Sequence, residues 1–138
     1  MHALWWQSTM ALITASPTLA QIEGITRNNL IKRFLRETRL GVYGTVTSGS
    51  TATLLDTTKL KSTQFNTQEW VGGWARISKD AGGAAAAPET EISPITTFAP
   101  STGTITFNPT MTQAPAVSDE YELWRISPRD VLDLIDQV

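Results

Sequence analysis

Cysteine is absent from the 138 residues, which excludes disulfides, thiolate nucleophiles and cysteine-bound metals. Histidine is nearly absent: His2 is the single one, and it stands almost at the chain start. A Ser–His–Asp or Cys–His machine therefore has almost nowhere to come from. A zinc site would need three or four clustered ligands, which the sequence does not gather, so no metal is expected. An excess of positive charge is also missing. The formal net charge is −2, which gives no global field toward nucleic acid. Long apolar runs are lacking as well. In 1–20, Thr18-Leu19-Ala20 resembles a small-residue cleavage site, but no Lys or Arg precedes the run, and Gln7, Ser8 and Thr9 interrupt it. The segment reads as neither a signal peptide nor a spanning helix, which requires ~20 continuous apolar residues, so no membrane partner is expected. Gly72-Gly73 and Gly82-Gly83 match neither a phosphate-binding loop nor a dinucleotide fingerprint, and no cofactor is expected.

What is present suits a folded domain. A hydrophobic share of 41% against 17% charged residues gives material for one modest core and argues against a disordered tail. Three regions follow from the patterning: helical 1–40, a β-domain 41–126, and a helix 127–138. In the first, Ser16-Pro17 opens a short helix running to about Glu23 and broken by Gly24. Thr26 then caps a segment 27–39, for which Gly41 is a natural left-handed stop. At 100° per residue, Leu30, Ile31, Phe34, Leu35 and Thr38 share one arc, with Lys32, Arg33, Arg36, Glu37 and Arg39 opposite.

From Val42 onward, turn residues recur at strand-like intervals. Strands are expected over 42–47 and 51–56 around a Ser48-Gly49-Ser50 hairpin loop, over 74–78, over 91–98 and 104–107 around Ala99–Gly103, and over 121–126. Two polar or alanine-rich stretches, 59–69 and 80–88, read as long loops, the second needing something to order it. At the end, Ser127 caps, Pro128 starts and Asp130 favours a helix whose Val131, Leu134, Ile135 and Val138 form one stripe. The expected fold is α+β: a small antiparallel β-barrel or sandwich with N-terminal helices and a short C-terminal helix.

Carboxylates are the one remaining route to catalysis. Asp119, Glu120 and Glu122 crowd one turn, and Glu89 and Glu91 flank another. An acid–base pair could be built from such groups; the plainer reading is that they solubilise a strand edge. No catalytic residue is assigned. The basic face of 27–39 is either solvated or, through Arg33 and Arg36, meets packaged DNA or an acidic partner. Leu4, Trp5 and Trp6 either anchor in another subunit's groove or cover the chain's own core. Trp70, Trp74 and Trp124 read as core or rim residues.

Several segments of the β-region resemble recurrent segments of tailed-bacteriophage virion proteins. They are Gly44-Thr45-Val46-Thr47-Ser48-Gly49-Ser50-Thr51-Ala52-Thr53-Leu54-Leu55-Asp56-Thr57-Thr58, Trp70-Val71-Gly72-Gly73-Trp74-Ala75-Arg76-Ile77, and the hairpin Phe98-Ala99-Pro100-Ser101-Thr102-Gly103-Thr104-Ile105-Thr106-Phe107. Asp119-Glu120-Tyr121-Glu122-Leu123-Trp124 resembles their closing strand, where Gly-Asp-x-Tyr-Glu-Leu is usual and Ser118 here replaces the glycine. The resemblance covers roughly 41–126. It implies a structural, oligomeric part of the virion, assembled in the host cytoplasm, and the helical lead-in through Arg39-Leu40-Gly41 resembles that of neck proteins.

The expectation is thus a non-enzymatic head–tail connector, a ring between portal and tail. Its partners would be further copies of itself and other virion proteins such as portal, capsid or tail, with packaged DNA as an added contact. Leu4, Trp5, Trp6, Val131, Leu134 and Ile135 are expected in interfaces. Two alternatives stand beside it: a head fibre or capsid decoration protein, and a carbohydrate-binding β-module stacking sugars on Trp70, Trp74 or Tyr121.

Overall fold

The computed structural model describes residues 26–137. The chain divides into two compact units, Met1–Ile31 and Lys32–Val138. The described residues of the first open helix α1 (Arg27–Thr38), and Thr26 caps it, its Oγ1 accepting the Asn29 N–H at 3.2 Å. The expected helix up to Glu23 lies outside the described residues, as do Leu4, Trp5 and Trp6. On α1, Leu35 is buried and Phe34 half-buried, whereas Leu30 and Thr38, expected on the same buried arc, are exposed. The helix ends one residue early and by a different device than the sequence suggests. Arg39, not Gly41, takes the left-handed conformation (φ 57°), with its N–H bonded to Leu35 O at 3.0 Å.

Seven strands follow: β1 (Gly41–Thr45), β2 (Ser48–Ser50), β3 (Thr53–Leu55), β4 (Trp74–Lys79), β5 (Ile92–Ala99), β6 (Thr104–Phe107) and β7 (Glu120–Trp124). They form one open antiparallel sheet in the order β1-β7-β4-β5-β6-β3-β2. With helix α2 (Pro128–Asp136) this is a small α+β fold. Ser48-Gly49-Ser50 is itself a strand, paired through Gly49↔Leu54, and the reversal falls at Thr51-Ala52. Gly41 is the first strand residue because only glycine fits there: a Cβ would stand 2.1 Å from Leu123 O. The strands 74–79, 92–99 and 104–107 lie close to where alternation places them.

One face of the sheet makes the core. Leu54, Ile77, Phe98, Ile105, Phe107 and Leu123 are among its buried side chains, joined by Val46, Leu60, Trp70 and Met111 from connecting segments. Each such side chain contributes roughly 1.5–3 kcal/mol by leaving water. Along β7 the alternate side chains Glu120, Glu122 and Trp124 face the other way, and there Phe34 of α1 stacks on Trp124 with ring centroids 6.1 Å apart. Lys32 adds an ion pair to Glu120 at 2.5 Å. Helix α2 begins at Pro128 as expected, but Ser127 makes no side-chain capping bond. It buries Pro128 and Leu132, and the stripe assigned to interfaces is graded: Val131 and Ile135 are half-buried, and Leu134 is 64% exposed.

Candidate functional site

A cleft of about 520 Å³ lies between the end of α1, β1 and the connection from β3 to β4. Its cations arrive from three parts of the chain. The last turn of α1 supplies Arg36, and the left-handed Arg39 turns the backbone into β1, so both line the same wall. Lys59 comes from the turn after β3 and Arg125 from the residue after β7. Both of these are held in place. Lys59 Nζ donates to Tyr43 O at 2.6 Å and stands 4.5 Å from the Tyr43 ring centre. Arg125 lies 4.6 Å from the Trp70 ring centre, donates to Glu69 O at 3.2 Å and pairs with the Glu69 carboxylate.

Apolar surface fills the space between these charges. Val42, Tyr43, Leu60, Phe65 and Trp70 line the cleft, and Phe65 stays 37% exposed while touching Phe98 at a ring separation of 6.1 Å. Glu69 is the one carboxylate of the lining, against four cations. Such a lining suits an acidic ligand with an apolar side. It holds no nucleophile–base pair, since Glu69 is engaged by Arg125.

A buried carboxylate keeps the Lys59 turn in shape. Asp56 Oδ1 accepts the N–H groups of Thr58 (2.8 Å) and Lys59 (3.0 Å), and Oδ2 accepts the Tyr121 hydroxyl at 2.7 Å. Burial opposes the Asp56 charge, but the bonds from Lys59, Tyr121 and Thr58 together hold its pKa below the ordinary 3.8. Burial, then the bond to Asp56 and the charge of Asp56, push the Tyr121 pKa well above its ordinary 10.0. The phenol thus stays neutral and donating.

The other carboxylates singled out by sequence also have structural partners, and the strand-edge reading of Asp119, Glu120 and Glu122 does not hold. β7 lies between β1 and β4, not at an edge. Asp119 accepts the amides of Ala81 (2.9 Å) and Ala116 (2.8 Å). Glu122, fully buried, accepts from Arg76 Nη1 at 2.9 Å and Trp124 Nε1 at 3.0 Å through one oxygen, while its Oε1 has no protein partner. Glu91 binds Thr112, whose N–H is 2.9 Å away, and Glu89 accepts the Asp80 amide at 2.8 Å. The 80–88 loop carries its own bonds: Asp80 accepts the amides of Gly82 (3.0 Å), Ala84 (3.1 Å) and Ala86 (3.4 Å).

Of the two arginines predicted to meet a partner, the structure separates one from the other. Arg33 pairs with Glu37 along the helix at 2.8 Å, both side chains exposed, and Arg36 lines the cleft. Arg39, which the sequence pattern groups with Arg36 on the polar side of 27–39, lines the cleft from just beyond the helix end. Lys59, Tyr43, Phe65 and Arg125 carried no such signal, because only the tertiary fold assembles them. The three rings expected to stack sugars differ in exposure. Tyr121 and Trp70 are buried and Trp74 is half-buried. Among the described residues no group of His, Asp or Glu is arranged to hold a metal ion, and no helix is long and apolar enough to cross a membrane. In comparison with known proteins, no family model, no curated protein and no solved structure matches the chain.

Proposed function

We propose that this chain is a non-enzymatic structural component of a tailed-phage virion, an adaptor at the head–tail junction that works as a ring of copies between portal and tail. The observation that carries the reading is the short helix α2, which presents Leu134, 64% exposed, with Val131 and Ile135 only half-covered beside it. A helix of 9 residues is marginal by itself and gains stability by burying such a face against another surface. The segments that resemble virion proteins contribute to β1–β3, β4, the β5–β6 hairpin and β7.

In this reading the sheet is rolled into a barrel-like spacer. Its two edge strands, β1 and β2, are consecutive in the chain with only Val46-Thr47 between them. Val46 exchanges backbone bonds with 118–119 (Val46 N to Asp119 O, 2.9 Å), and Thr47 N bonds Leu55 O at 2.8 Å, so one short segment reaches both edges. The test is the mass of the purified full-length chain by light scattering, alone and with portal and tail proteins, followed by electron microscopy of any assembly. A cyclic oligomer that seats on the portal is expected. A chain that stays monomeric at every attainable concentration, with and without those proteins, overturns the reading.

A further inference from the structure

The cleft is basic and aromatic; α2, the helix with the open apolar side, is acidic. Asp130 and Asp133 are exposed on α2, and Leu134 stands one turn from Asp130 on the same side. Arg36 and Arg39 are exposed on the cleft wall, above Tyr43, Phe65 and Trp70. No residue of α2 lines the cleft of its own chain. We propose that the cleft receives α2 of a neighbouring copy, with Asp130 and Asp133 meeting Arg36 and Arg39 while Leu134 enters the apolar lining. This rests on the multi-copy reading above and assigns its contact.

Each element then supplies what the other lacks. The aspartates neutralise a site holding four cations against one carboxylate, and the lining covers the side of α2 that Pro128 and Leu132 leave open. Because the donor helix and the acceptor cleft are different patches of one chain, the contact is head-to-tail. Repeated by rotation it closes into a ring and needs no two-fold axis. Opposite charges at its rim steer encounter and fix register, and reversing one side places like charges together.

The experiment uses the full chain in four forms: unchanged, R36E/R39E, D130R/D133R and L134S. Self-association is measured by sedimentation over a concentration series. Each charge reversal alone is expected to weaken association by about tenfold or more. An equimolar mixture of the two reversed chains is expected to recover it, because each cleft then meets a helix of opposite sign. L134S keeps every charge and the helix dipole, and it too is expected to weaken assembly. If the unchanged chain assembles and L134S and both reversals assemble equally well, α2 is not the occupant, and the multi-copy reading stands without it. Loss in both reversals with no recovery on mixing also overturns the contact, as does an unaffected L134S. An unchanged chain that never self-associates, alone or with portal and tail proteins, removes both the contact and the ring.

Discussion

At the scale of single residues, the buried polar groups decide more than their number suggests. Arg76 and Glu122 face each other across β4 and β7, at 2% and 0% side-chain exposure, so removing one partner strands the other's charge. Arg76→Leu is expected to cost about 3–5 kcal/mol in chemical denaturation, and Arg76→Leu/Glu122→Leu to recover most of that. The Asp56–Tyr121 bond has a pH signature. Asp56, with its folded pKa below 3.8, lends stability that is complete above that value and is lost as pH falls through the folded one. Tyr121, with its folded pKa raised above 10.0, lends stability that is complete below that value and declines as pH rises beyond it. Tyr121→Phe should cost about 1–3 kcal/mol near neutrality and flatten the alkaline decline of the melting temperature. Ser118 takes φ 74°, a left-handed conformation that suits glycine. Ser118→Gly is therefore expected to stabilise by roughly 0.5–1 kcal/mol, relief of the left-handed strain outweighing the added chain entropy.

Individual elements show where sequence reasoning reached and where it stopped. β4, β5 and β6 were legible because their apolar residues alternate between well-marked turns, and α1 because its cap and its Leu35 face follow local rules. Ser48–Ser50 was not, since serine and glycine carry turn chemistry and nothing in the triplet records that Leu54 lies opposite. Gly41 misled for a related reason: its small size serves a close approach to Leu123, not a helix stop. The cleft was legible only at Arg36, because Lys59 and Arg125 are distant in sequence and no local pattern joins them. Loop 80–88 looked flexible by composition, and its order comes from carboxylates, Asp80 with three amides and Glu89 and Asp119 with one each. Asp80→Ala should speed amide exchange across 81–87 by about tenfold while leaving the global melting temperature nearly unchanged. Gly103 is the tightest turn position: φ is 74° and a Cβ would stand 2.3 Å from Asp56 O. Gly103→Ala is expected to destabilise by roughly 1–3 kcal/mol in thermal unfolding.

For the whole molecule, the strand order sets a timetable. β7 is the last strand in sequence yet sits between β1 and β4, pairing Tyr43 with Glu122 on one side and Ala75 with Leu123 on the other. While the ribosome is still making the chain, those two earlier strands each hold a row of backbone donors and acceptors with nothing between them. Such rows invite pairing with other nascent chains until 120–124 emerge and slot in. A product ending at Ser118 should accordingly collect in the insoluble fraction even though most of its core residues have been made. The late keystone strand also makes completion all-or-none, so only copies that contain it would hold the Arg125 wall and α2 in place.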